Sequence, residues 1–102
     1  IIKIINKHNR NAKIVFTLSP IPLIATFRPQ SCITANTVSK SILRVSLDNV
    51  LNEYKKNNKV FYYPSYEITK DYFEDPFVDD NRHLKPEYIK IIMENFEKNY
   101  CK

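Results

Sequence analysis

The chain has 102 residues, of which 43% are hydrophobic, 26% charged and 13% aromatic, with six prolines, two cysteines and no glycine. That length supports one domain with a small core, and the composition excludes a disordered tail, a collagen-like repeat and a disulfide-stapled miniprotein. The net charge of +5 comes from basic residues scattered along the chain without a recognition module, so a solvated basic surface is expected and not a nucleic-acid site.

Ile1, Ile4, Ile5 and His8 fall at i, i+3, i+4 and i+7, which predicts a helix near 1–8 with one apolar stripe. The β-branched and aromatic run that follows predicts a strand near 13–18. Its centre, Ile14 to Phe16, suits burial on both faces, as in a parallel sheet. Pro20 and Pro22 end it, because neither can donate to a ladder. Leu23 to Asn36 has no clear periodicity, and a stretch that long in a small domain points to function.

A second helix is expected near 37–56, with Val38, Ile42 and Val45 on a wide apolar face and Thr34, Asn36 or Thr37 as its cap. Lys55 and Lys56 sit where cations favour a helix C-terminus. A second strand is predicted near 59–63, stopped by Pro64. Ser65 to Phe73 reads as a helical turn or irregular chain, and Glu74 to Lys85 as a polar loop. Pro86 suits the first turn of a last helix near 86–99, with Ile89, Ile92, Met93, Phe96 and Tyr100 as its buried stripe.

This alternation assigns the chain to the α/β class, a parallel sheet with helices on its faces. Two strands make a poor sheet alone, and the chain opens at Ile1 inside a predicted helix. Residues 1–102 are therefore expected to form a single domain that is part of a larger one, with a sheet edge open to self-association.

Several chemistries are excluded at once. Without glycine there is no GxGxxG or GxxxxGK[ST] loop to cradle a phosphate. No apolar run approaches the roughly 20 residues that cross a bilayer. Cys32 and Cys101 are far apart and form no ligand set with His8 and His83, so neither a metal nor a cofactor is expected. Reduced thiols in a cytoplasmic setting are the corresponding expectation.

Ligands of α/β sheets bind outside the carboxyl ends of the strands, which here lead into Ser19-Pro20 and Pro64-Ser65-Tyr66-Glu67. The sharpest constellation is Asp80-Asn81-Arg82-His83. Residues at i and i+3 of a turn share one side, so the Asp80 carboxylate can accept the Nδ1–H of His83. That fixes the tautomer and leaves Nε2 as a general base for a nucleophile. A surface turn with a purely structural Asp–His bond is the plainer alternative. Ser19 is a hydroxyl at a strand end, although its Ser-Pro context equally suits a turn cap. Ser39 and Lys40, near a helix start, read as cap and solvated charge or as ligand contacts. Glu67 reads as a ligand contact or as a partner for a basic side chain.

Thr17-Leu18-Ser19-Pro20-Ile21-Pro22-Leu23, Ala35-Asn36 with Ser39-Lys40-Ser41 and Leu43-Arg44, Tyr63-Pro64-Ser65-Tyr66-Glu67-Ile68, and Asp80-x-x-His83 before a helix occur in that order. Together they resemble the C-terminal half of a GSCFA-domain protein, a family similar to the SGNH/GDSL hydrolases. The resemblance implies a partial three-layer α/β/α, flavodoxin-like sheet. It also implies serine-dependent hydrolysis or transfer of acyl groups on carbohydrate or polysaccharide, with Asp80 and His83 as acid and base. Ser19, Ser39, Lys40 and Glu67 become candidate substrate contacts. The Gly-Ser-Cys-Phe-Ala motif that supplies the nucleophile is absent, as are the glycine and asparagine blocks of the oxyanion hole. The competing expectation is a non-catalytic α/β module that binds a protein partner.

Overall fold

The computed structural model describes residues 1–101. Among them the order is α1 (Ile2–His8), β1 (Ile14–Thr17), α2 (Cys32–Glu53), β2 (Val60–Tyr63), α3 (Ser65–Tyr72) and α4 (Pro86–Tyr100). The two strands pair in parallel, Ile14 opposite Val60 through Thr17 opposite Tyr63. This is a partial α/β fold, a β1–α2–β2 unit with one helix before it and two after it.

Three boundaries differ from the sequence reading, each for a local reason. Helix α2 starts at Cys32, not near 37, because Ser31 is its cap: the Ser31 hydroxyl accepts the Thr34 N–H at 3.2 Å. Its first turn carries no apolar stripe, and Ile33 is exposed, so hydrophobic periodicity gives no sign of it. The same helix stops at Glu53, and Lys55 and Lys56 lie in the turn beyond it. Residues 65–72, ambiguous in sequence, form a full helix whose first turn holds Glu67, on the side that helix N-termini favour for acids.

The buried apolar residues are Ile2, Ile14, Leu18, Ala35, Tyr63 and Ile92. Tyr63 organises the α4 side. Its ring meets Phe96 and Tyr100 edge-on at 5.2 and 5.6 Å, and its hydroxyl donates to the Ile92 carbonyl at 2.6 Å. Tyr100 returns a hydrogen bond to the Tyr62 carbonyl at 2.7 Å. Each ring therefore buries its face while its polar tip finds a partner.

The expected stripes are only partly covered. In α1 it is Ile2 that is buried, while Ile1 and Ile4 stand in solvent. In α2 Ile42 and Val45 are exposed, and in α4 Ile89 and Met93 are about half exposed. The radius of gyration, 15.8 Å, exceeds the roughly 13 Å of a compact domain this long. A two-stranded sheet has too little surface to cover these faces.

Candidate active site

Both strands end on the same side, and their ends are tied by hydroxyls. Ser65 Oγ donates to the Leu18 carbonyl at 3.1 Å, so the 2.5 Å contact with Thr17 Oγ1 is one in which Thr17 donates. Thr69 in turn donates to the Ser65 carbonyl at 2.9 Å and is almost fully buried. This clamp fixes where the chain leaves β1.

The loop after β1 is then fastened to α2 by three side chains spaced four residues apart. Lys40 Nζ donates to the Ser19 carbonyl at 2.6 Å. Asn36 Oδ1 accepts the Leu23 N–H at 3.1 Å, and Cys32 Sγ donates to the Leu23 carbonyl at 3.2 Å. Positions 32, 36 and 40 lie on one helical line, so one face of α2 holds the loop at Ser19 and Leu23. Lys40 is buried, not solvated, and burial lowers its pKa. The sequence signal existed as the i, i+4, i+8 spacing, but nothing in it showed that polar side chains would face a loop.

Facing this loop is a short hairpin. Phe77 and Leu84 bridge in antiparallel fashion, the Val78 N–H bonds the His83 carbonyl at 2.8 Å, and the Lys85 N–H bonds the Pro76 carbonyl at 2.9 Å. The Lys85 ammonium closes on Asp75 at 2.7 Å. Asn81 turns the tip with φ 53°, a left-handed value that asparagine tolerates better than most residues. What reads in the sequence as a polar loop is thus an ordered hairpin.

Asp80 and His83 occupy that tip. Asp80 Oδ1 accepts the backbone N–H groups of Arg82 and His83, both at 2.9 Å, and Oδ2 meets His83 Nδ1 at 2.5 Å. The ring hydrogen bond, and then the two backbone bonds, pull the Asp80 carboxyl down to about 2. Asp80 is therefore ionised across the physiological range, the form that accepts Nδ1–H. His83 is exposed, and its Nε2 has no hydrogen-bond partner among the described residues.

The pair lines a groove of about 610 Å³ whose other walls are Pro22, Leu23, Ile24, Cys32, Ile33, Asn36, Asn81 and Arg82. A second groove of about 440 Å³, reaching to α3 and Phe77, shares Pro22 and Asn36 with it. The Cys32 thiol proton is directed at Leu23, so this sulfur acts as a staple of the loop.

Of the candidate residues, the structure brings together Asp80 and His83 and keeps the other four apart from them. The Ser19 hydroxyl accepts the Ile21 N–H at 3.2 Å, the turn-cap geometry. Ser39 is half-buried in a separate depression beside Thr26 and Arg28. Lys40 holds Ser19 from behind. Glu67 is saturated by Arg44 Nε at 2.8 Å and the Tyr62 hydroxyl at 2.7 Å. Burial pushes its carboxyl up, yet those two bonds outweigh burial and leave it below the ordinary value. Sequence reasoning missed Asn36 and Arg82 as groove residues. Arg82 lies inside the Asp80-x-x-His83 motif and Asn36 in the Ala35-Asn36 segment, and only their placement distinguishes them.

Among the described residues no three His, Cys, Asp or Glu side chains gather as a metal site, and no helix is long and apolar enough to cross a membrane. Comparison with protein-family models matches residues 1–96 to the GSCFA family. Comparisons with curated proteins and with solved structures give no match. A match over nearly the whole chain, with the Asp-x-x-His turn ordered at its far end, settles the family: this chain belongs to the GSCFA family.

Proposed function

We propose that the groove carries the acid–base pair of a serine-dependent esterase or acyltransferase. Asp80 orients the imidazole, and His83 Nε2 takes the proton from an attacking hydroxyl as that oxygen adds to the acyl carbonyl. The same proton then passes to the leaving alkoxide, giving an acyl-enzyme that water or an acceptor hydroxyl resolves in the reverse order. The observation that carries this reading is the 2.5 Å Asp80–His83 contact with Nε2 left open on a groove. Apolar walls from Leu23, Ile24 and Ile33 suit an acyl chain, and Asn36 and Arg82 suit a polyhydroxyl partner, so an acylated carbohydrate is the proposed substrate.

The attacking hydroxyl is not assigned within this chain. There is no glycine, hence no Gly-Ser-Cys-Phe-Ala sequence, and the Ser19 hydroxyl is engaged by its own turn. On this reading residues 1–102 are the C-terminal part of a larger GSCFA domain, whose other part supplies the serine and the oxyanion donors. Both cysteines are free, which fits a cytoplasmic setting.

The test is hydrolysis of short p-nitrophenyl esters by this chain alone and by the chain fused behind a family segment bearing the Gly-Ser-Cys-Phe-Ala motif. The chain alone is expected to be inactive. The fusion is expected to turn over, and His83→Ala is expected to slow it about 10²–10⁴-fold. Activity of the chain alone that depends on His83 would overturn the divided-site reading. A fusion indifferent to His83→Ala would overturn the base.

A second reading, a protein-interaction module, is favoured by a different feature. An apolar groove of about 620 Å³ opens between α1, β1 and α2, bordered by Ile1, Phe16, Leu43, Leu47 and Val50. Light scattering across a concentration series separates the two: a discrete oligomer unaffected by His83→Ala favours the module.

A further inference from the structure

Arg82 sits inside the Asp80–His83 turn and is one of the residues that line the same groove. Its backbone N–H is used by Asp80. Its guanidinium, by contrast, pairs with no carboxylate among the described residues, and its Nε is shut off from solvent without an acceptor. Arg44 shows what a satisfied guanidinium looks like in this chain: Nε on Glu67 at 2.8 Å and the plane over the Tyr62 ring at 4.8 Å. Arg82 has neither arrangement.

A guanidinium keeps its charge at any physiological pH, and a shielded donor without an acceptor calls for a physical explanation. No residue of the groove bonds the Arg82 Nε in the free chain. Asp80 is committed to His83, the Asn36 amide oxygen is taken by Leu23, and Leu23, Ile24 and Ile33 are apolar. A group that occupies the groove beside Arg82 can supply that acceptor.

We infer that Arg82 is the specificity residue of this site and selects substrates that carry an anionic group, a carboxylate or a phosphate, beside the acyl ester. The inference rests on the esterase or acyltransferase reading and adds the charge of its substrate. The edge of a guanidinium, Nε–H with one Nη–H, matches two oxygens of a carboxylate or phosphate in parallel. A neutral sugar hydroxyl offers no such match and leaves the charge unpaired. Nε is closed to solvent in the free chain, so a ligand that engages it requires the guanidinium to turn, and the Nε–H resonance would report that turn directly.

The experiment follows the Arg82 Nε–H and His83 amide signals by nitrogen-15 NMR on the 102-residue chain. Glucuronate, glucose 6-phosphate and glucose are titrated separately, at a pH where imidazole is neutral. A saturable shift is expected with one or both anionic sugars, at a Kd about tenfold or more below that for glucose. The arm that responds separates carboxylate from phosphate. Arg82→Gln keeps the backbone bond to Asp80 and should abolish the preference, with a dispersed amide spectrum as the check on folding. His83→Ala should retain it. No saturable response to either anion, an equal response to glucose, or a preference that survives Arg82→Gln would overturn the assignment. Ester turnover of the fused domain reads the base separately: a fusion indifferent to His83→Ala that still prefers anions removes the base and leaves the anion site standing.

Discussion

Glu67 and Asp80 both accept hydrogen bonds on both carboxylate oxygens and both titrate below the ordinary carboxyl range, yet their neighbours differ. Glu67, on α3, is met by Arg44 from α2 and Tyr62 from β2, so three elements converge on it. Every group in that node is spent on another. Asp80 is met only by residues two and three positions ahead of it, at an exposed hairpin tip. Its partner His83 has one ring nitrogen spent and one free. A perturbed carboxyl marks scaffold in the first case and candidate chemistry in the second, and the open end of the network, not the shift, tells them apart.

The largest effect is expected from Glu67→Ala. Removing that carboxylate leaves Arg44 and the Tyr62 hydroxyl unpaired at a half-buried junction, with an expected loss of about 1–3 kcal/mol. Urea denaturation checks it. His83→Ala should leave the urea midpoint unchanged, since the exposed tip holds no core contact. A midpoint that falls equally in both variants would break the contrast.

A smaller effect is expected from Asn81→Ala. The left-handed backbone at Asn81 costs alanine about 1 kcal/mol more, and that cost falls on the hairpin tip. The Asp80–His83 bond should loosen, with faster amide exchange at Val78 and His83 and no change at β1 or β2. Exchange that rises uniformly would mean the tip is not an independent unit.

The smallest effect is the acid response of the tip. Asp80 has a folded value of about 2 against an ordinary 3.8, so the ionised form is favoured in the folded state. Its contribution is complete above about pH 4 and is lost as pH falls through about 2. His83 ring signals should therefore move in that window, with any loss at Glu67 beginning below its own ordinary value of 4.5. Ring signals already moving at pH 5 through Asp80 would contradict the depressed value.

What the sequence disclosed follows the same division between local and convergent. Asp80-x-x-His83 was legible because its geometry is set within four residues. The strand cores were legible because Ile14 to Phe16 and Val60 to Tyr63 are short β-branched and aromatic runs closed by prolines. The start of α2 was hidden, since its cap at Ser31 precedes a turn with no apolar stripe. Glu67 and Lys40 carried the right chemistry for ligand contacts, but their partners, Arg44 and Tyr62 for one and the Ser19 carbonyl for the other, lie 5 to 23 residues away. Spacing cannot show that such a side chain is already occupied. The stripes of α1 and α4 were correctly helical, yet burial depends on what packs against them, and here Ile4 and Ile89 meet solvent.

The most direct test is the tautomer of His83, read from its two ring nitrogen-15 shifts in the neutral imidazole, with exposed His8 as the internal reference. A proton on Nδ1 and a bare Nε2 are expected in the wild-type chain, and Asp80→Ala should lose that preference. A ring protonated on Nε2, or the same mixed signal as His8, would contradict it.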